Sequence, residues 1–214
     1  TIIVGTGAAG LNAAVTLHKL GQKNIALITE GRYMGTSRNT GSDKQTYYKL
    51  TQCGSEPDSV RKMAETLFDG GCVDGDIAMA EAAGSLRAFY HLVDIGVPFP
   101  FNKSGEYVGY KTDHDPLKRG ISAGPLTSKY MTECLERQAE ERGIPFFDGY
   151  QAVRLLTEEK DGEKRAAGII ALNKQKAASP DERYAVFSAV NIIWATGGEA
   201  GMYQASVKSE AKRS

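Results

Sequence analysis

Residues Thr1–Glu30 read TIIVGTGAAGLNAAVTLHKLGQKNIALITE, and the way apolar and small residues alternate along them decides the fold. Thr1–Val4 is a β-branched run. It feeds GTGAAG, and Ala8–Leu20 then carries Leu11, Ala14, Val15 and Leu17–Leu20 at roughly helical spacing. Gly21 closes that helix, and Asn24–Thr29 is a nearly unbroken apolar run of the kind a parallel strand shows when both its faces are covered. One strand–turn–helix–strand unit is thus complete by Glu30. Gly5, Gly7 and Gly10 form G-x-G-x-x-G at its first turn. One glycine permits the tight turn, one admits a diphosphate to the backbone, and one lets helix pack on strand. The helix start adds unpaired N–H groups and the positive end of its dipole. Glu30 stands twenty residues beyond Gly10, at the end of the second strand, where a carboxylate can accept bonds from the ribose hydroxyls of an adenosine. Together these features predict dinucleotide binding, with NAD and FAD both open.

Beyond Glu30, residues 31–54 are rich in Gly, Ser, Thr and Asn without a sustained period and are expected to form a long loop, of the kind that is usually functional. Ser55 and Asp58 flank Pro57 in a helix-start pattern, with Val60, Met63, Ala64, Leu67 and Phe68 at helical spacing to about Asp69. A further helix is expected over 76–94, stopped by Gly96 and Pro98. Residues 99–124 suggest a small hairpin with Tyr107–Tyr110 on one arm. From Pro125 to Arg142, Leu126, Tyr130, Met131, Cys134, Leu135 and Ala139 share one stripe of a helix. Short runs at 145–147, 152–156, 168–172 and 184–187 suggest an antiparallel meander, and Ala189–Trp194 returns to the style of a buried strand before Ala195-Thr196-Gly197-Gly198. The expected class is α/β: a Rossmann-like domain with a parallel sheet, a small antiparallel meander and inserted helices, filling residues 1–207, with 208–214 (KSEAKRS) as a polar tail.

Composition narrows the partners. The 214 residues carry 26 basic and 26 acidic side chains, so no cationic footprint for nucleic acid exists, and no apolar run approaches the roughly 20 residues that cross a bilayer. Cys53, Cys72 and Cys134 have neither CxxC spacing nor nearby His partners, which argues against a disulfide framework or a metal site and points to a reducing, cytoplasmic setting. Thr1 falls inside a strand with no initiator Met, so further residues are expected before it.

The late ATGG brings a small-residue turn to the carboxyl end of a buried strand, where a doubly wound sheet opens its ligand crevice. GTGAAGLNAA with Glu30, followed by ATGGEAGMY after a meander, resembles the flavoproteins with two dinucleotide folds. The order of features is similar to the succinate dehydrogenase and fumarate reductase flavoprotein family, which includes aspartate oxidase. VRKMAETLFDGG at 60–71, GVPF at 96–99, the loop ending Arg119-Gly120 and ERGIPF at 141–146 carry the likeness across most of residues 1–207.

That resemblance implies FAD, with Gly5, Gly7, Ala9 and Gly10 at the diphosphate and Glu30 at the adenosine ribose. Ser37, Asn39, Thr40 and Gly41 would pass the flavin, Val153 would meet the adenine side through its backbone, and Ala195, Thr196 and Gly197 would close over the cofactor. In membrane-complex members of the family a His bonds covalently to the flavin. Asn39 stands at that place and cannot form such a bond, so noncovalent FAD is expected. The implied chemistry is hydride transfer between flavin N5 and a small carboxylate of the fumarate/succinate type, with an electron-transfer partner subunit possible. Members of the family are more than twice this long and carry a capping domain, so this stretch alone is expected to be inactive. His114 and Arg119 lie in the loop that faces substrate in the family, although the glycine pair before that His is here Thr112-Asp113; as residues of a polar loop they equally read as solvated. Tyr33, Tyr47 and Tyr48 could stack on a flavin or simply anchor their loop, and Trp194 reads as core. The rival functions are an NAD(P)-dependent Rossmann dehydrogenase and a noncatalytic FAD-holding module.

Overall fold

A computed structural model describes residues 1–42, 45–53, 56–113 and 115–198. His114, Ser55 and the 208–214 tail lie outside the described residues. The described residues form two compact units, one of residues 1–40 with 135–198 and one of residues 41–134.

The first unit is built on a parallel sheet of four short strands, β1 (Ile2–Val4), β2 (Ala26–Thr29), β5 (Phe146–Asp148) and β9 (Ile192–Trp194), in the order β5-β2-β1-β9. Ile2, Ile3 and Val4 pair with Ala26, Leu27 and Ile28 on one side and with Ile192, Ile193 and Trp194 on the other. Helix α1 (Ala8–Lys19) covers one face with Leu11, Ala14 and Val15, all buried. The opposite face, Ile2, Val4 and Ile28, packs on Ile169, Phe187, Tyr150 and Ala152 of an antiparallel meander formed by β6 (Tyr150–Lys160), β7 (Glu163–Asn173) and β8 (Tyr184–Ser188). Cover on both faces is what makes β2 read as a continuous apolar run. The 145–147 run, expected in the meander, is instead the edge strand β5, with Leu27 opposite Phe146. An apolar triplet carries no mark of parallel or antiparallel pairing, so its place is set by where the chain arrives from α5 (Thr127–Glu141). Residues 31–40 are not wholly loop either, since a single helical turn, α2 (Thr36–Asn39), interrupts them.

The second unit holds α3 (Val60–Asp69) and α4 (Gly75–Asp94), which close over Leu50, Met63, Ala64, Ala78 and Ala82. Ser59, just after the expected helix-start pattern of Ser55, Pro57 and Asp58, caps α3 by accepting from Lys62 N–H at 3.2 Å, and Asp74 caps α4. The expected hairpin over 99–124 is reduced to one bridge, Tyr110 with Gly120, because the segment folds around turns at Asn102 and Asp115. Its real sheet partner lies further back: β3 (Tyr47–Tyr48) pairs antiparallel with β4 (Gly120–Ile121). Phe89 is fully buried among Tyr47, Phe99, Tyr107 and Tyr90, with ring centroids 5.0–5.9 Å away. Lys49, 1% exposed, rests its ammonium 4.9 Å over the Phe89 ring and donates to Leu50 O at 3.3 Å; burial pulls its pKa down.

Asp58 is released from capping for a different duty. It takes Arg119 in a two-bond fork, Nε to Oδ2 at 2.9 Å and Nη2 to Oδ1 at 2.7 Å, with both side chains 1% exposed. Thr66 Oγ1, at 2.8 Å, and the Tyr48 hydroxyl, at 3.2 Å, accept from Nη1. Arg119 is therefore neither solvated nor available to a substrate: its guanidinium is buried and committed. Burial acts to raise the Asp58 pKa, but the bonds from Arg119, Thr51 N–H and Ser59 N–H outweigh it and hold the carboxyl below the ordinary carboxylate range. The stability it contributes is full above about pH 4 and is lost as pH falls through the lowered value. We predict that Asp58→Asn costs about 3–5 kcal/mol at neutral pH, because it strands a buried guanidinium. Thermal unfolding should show a Tm gap to wild type that narrows on acidification.

Candidate functional site

The groove at the carboxyl ends of β1, β2 and β9 follows from how tightly their turns approach one another. Gly5 N–H donates to Ile28 O and Ala195 N–H to Val4 O, both at 2.8 Å, so the sheet ladder runs on into both turns. Gly5 adopts φ +108°, and a Cβ there would collide with the Ala195 carbonyl. A Cβ on Gly10 would strike the Gly5 carbonyl oxygen, so helix α1 can begin this close to the strand only with glycine at that position. Gly7 precedes α1 in an extended conformation, and the first helical bond is Leu11 N–H to Gly7 O at 3.0 Å. The amides of Ala8, Ala9 and Gly10 thus have no partner within the helix. Ser37 Oγ accepts from the Ala8 N–H at 3.3 Å.

A cavity of about 580 Å³ opens over these amides. Gly5, Gly7, Ala9, Glu30, Ser37, Ala195, Thr196 and Gly197 all line it, which brings eight of the residues singled out in the sequence to one place. Gly10 sits buried beneath them as the packing glycine. The remaining candidates are placed elsewhere. Asn39 turns back on its own segment, donating to Tyr33 O at 2.6 Å and Gly35 O at 3.0 Å, and Thr40 Oγ1 donates to Thr36 O at 2.7 Å. Gly41 belongs to the second unit, next to Pro125 and Leu126. Val153 is half exposed beside the groove, and the ladder between β6 and β7 slips between Ala152 and Arg154, which makes Val153 the extra residue of a bulge. Tyr47 and Tyr48 serve the second unit's interior, and Tyr33 lies exposed with the Arg38 guanidinium 5.0 Å from its ring.

Two features were not legible in the sequence. Thr6 is buried with its hydroxyl 3.1 Å from Thr29 Oγ1 and 3.2 Å from Arg32 O, which ties the glycine turn to the end of β2. The segment after Glu30 is held by ions: Arg32 pairs with Glu136 and Glu140 of α5, and Arg38 pairs with Glu136. Arg32 also lies 4.1 Å over the Phe146 ring and donates its N–H to Asp148 at 2.9 Å. Burial opposes its charge, but the two glutamates prevail and raise its pKa. Arg32 and Arg38 were passed over because a surface loop and a helix far apart in sequence gave no sign of meeting. Among the described residues that line the cavity, none is Lys, Arg or His, so backbone dipoles and hydroxyls are what it offers an anion.

A parallel sheet with a glycine turn, an open helix N-terminus and a strand-end acid defines a dinucleotide-binding protein. Residues 1–212 match the FAD binding domain family, and the chain belongs to it. It is 27% identical over 212 residues to an L-aspartate oxidase of Agrobacterium fabrum, covering 96% of this chain and 37% of that protein. It is 28% identical over 211 residues to the mitochondrial succinate dehydrogenase [ubiquinone] flavoprotein subunit of Oryza sativa, covering 94% of this chain and 32% of that protein. The fold is shared with Mycobacterium smegmatis Sdh1, solved in complex with UQ1, at TM-score 0.82 and 18% identity over 99% of this chain and 36% of that one. Escherichia coli quinol fumarate reductase FrdA shares it at TM-score 0.77 and 20% identity, over 98% and 34%. The chain therefore spans about a third of the length of these relatives. FAD is its cofactor, as in the flavoproteins it matches.

Gly7 and Gly10 separate binding from folding. A Cβ on Gly7 would meet only Ser37 Oγ at 3.5 Å, an ordinary contact, yet would occupy the diphosphate's approach. We predict that Gly7→Ala keeps the Tm of the cofactor-free chain and loses FAD binding in fluorescence titration, whereas Gly10→Ala fails to fold. Glu30→Gln should weaken FAD roughly ten- to hundredfold, the worth of about 1.5–3 kcal/mol for hydrogen bonds to a charged acceptor.

Proposed function

We propose that this chain is the FAD-holding part of a flavoprotein oxidoreductase that moves hydride between flavin N5 and a small carboxylate substrate of the fumarate/succinate type. The observation that carries the reading is the convergence of the Gly5–Ala9 turn, Glu30, Ser37 and Ala195–Gly197 on one cavity. The likeness to aspartate oxidase and to succinate dehydrogenase and fumarate reductase flavoproteins supports the substrate class. FAD, when bound, supplies the hydride acceptor and donor. The chain's own residues bind and orient. The first amides of α1 take the diphosphate, with the Ser37 hydroxyl beside them able to donate to it once it leaves the Ala8 N–H. Glu30 takes both ribose hydroxyls, and the ion-held segment 31–40 fixes the flank of the groove.

The cofactor is held without a covalent bond on this reading. Asn39 stands where a linking His would be needed, and its amide is engaged with Tyr33 O and Gly35 O. Substrate turnover on this reading needs parts of the larger protein that bring substrate-binding side chains, because the lining of this cavity consists of cofactor-binding groups.

The test is direct. Purified protein loaded with FAD should show a flavin absorbance spectrum, acid precipitation should release all of the flavin into the supernatant, and the 214-residue chain should not oxidise reduced viologen with fumarate. Flavin left on the precipitate would overturn the noncovalent assignment. Fumarate turnover by this chain would overturn its dependence on further segments, and binding of NADH in place of FAD would return the chain to the dehydrogenase class.

A further inference from the structure

Trp194 ends β9 with its side chain 51% exposed, although a tryptophan at the end of an apolar strand was expected to be core. The sheet register fixes which way it faces. Trp194 pairs with Val4, and Ile192, two residues earlier, pairs with Ile2. Register partners and alternate residues share a face. Ile2, Val4 and Ile192 all belong to the cluster packed against the meander, so the indole stands on the meander side of the sheet, at its carboxyl edge. Ala195, the next residue, turns the other way and lies near Gly10. On its own side Trp194 lines the groove together with Tyr150, Gln151 and Ala152. The Tyr150 ring is already engaged edge-on by Phe187 and Phe147, at 5.3 and 6.4 Å. The indole is thus the large flat surface this flank of the groove has to offer.

We infer that Trp194 is the wall against which the adenine ring of the bound cofactor stacks. The inference rests on the FAD reading above and adds a residue to it. FAD has a flat ring at each end, and Glu30 chooses between them: if it grips the adenosine ribose, the ring beside it is adenine. β9 and β2 flank β1 on its two sides, so the ends of β2 and β9 stand two strand spacings apart, about 10 Å, which a nucleoside spans. The bulge at Val153, next to groove-lining Ala152, takes one residue of β6 out of the ladder, and its backbone donor and acceptor suit the hydrogen-bonding edge of a purine. Stacking on one side and a backbone edge on the other make a slot for a planar base.

Trp194 is the chain's single tryptophan, so its emission reports this position without labelling. The cofactor-free chain is titrated with ADP, with FMN and with FAD. ADP carries no flavin, so energy transfer cannot explain a quench that it causes. We expect ADP to quench the emission and to compete with FAD, FMN to leave the emission unchanged at equal concentration, and Trp194→Ala to bind both ADP and FAD roughly tenfold more weakly, a loss typical of base–aromatic stacking. Trp194→Phe should recover most of that loss, and unchanged circular dichroism would show that the variants fold. If FAD binds while ADP leaves the emission unmoved, or Trp194→Ala binds ADP as wild type does, the stacking proposal falls and the FAD reading stands. A quench by FMN with none by ADP also overturns the proposal, since energy transfer to a flavin needs no contact with Trp194. If neither FAD nor ADP binds, the proposal falls together with the reading beneath it.

Discussion

The first unit depends on one close approach of backbone to backbone. The Gly5 carbonyl fills the space where a side chain at position 10 would stand, and the Ala195 carbonyl fills the space where one at position 5 would stand. Two chain segments that are remote in sequence, 5–10 and the turn at 195, can therefore meet at the carboxyl end of the sheet with almost nothing between them. The first amides of α1 are left without partners in the helix, and that of Ala8 donates to Ser37 Oγ. Because the hydrogen-bond ladder continues through Gly5 and Ala195 into the turns, this geometry is held by the sheet itself. The cavity is then a direct product of the packing, with its polar lining supplied by backbone and hydroxyl groups and its single acid, among the described residues, by Glu30 after β2.

Much of this was legible because short-range chemistry determines it. The run from Thr1 to Glu30 carried its strand, turn, helix and strand in local pattern alone, and α1, α3, α4 and α5 fall within two residues of their expected bounds. Gly5, Gly7 and Ala9 share the cavity because the motif specifies a turn, and a turn is local; Glu30 and Ala195–Gly197 reach it through the pairing of β2 and β9 with β1, and Ser37 through its bond to Ala8 N–H. What was not legible needed a partner distant in the chain. Phe146–Asp148 has the same composition whether it joins a meander or a parallel sheet, and only the arrival of β2 beside it decides. Asp58 looked like a cap because it lies at a helix start, while its true partner, Arg119, is 61 residues away. Asn39, Thr40 and Gly41 were carried over by likeness of order, which fixes position along the chain but does not specify where each residue points.

The second unit shows a different solution to stability. Its helices bury Met63, Ala64, Ala78, Ala82, Phe89 and Leu92. The interior is completed by polar groups that satisfy one another: Arg119 between Asp58, Thr66 and Tyr48, and Lys49 against the face of Phe89. Such groups are expensive to leave unpaired and specific in direction, so they dictate one arrangement of β3, β4 and α3 where a purely apolar filling would tolerate several.

The absence of Lys, Arg and His among the described residues that line the cavity has a consequence for how the diphosphate is gripped. Under the proposed reading, a hold made of peptide dipoles at a helix start is positioned by the sheet that runs into it, so whatever loosens the sheet loosens the grip as well.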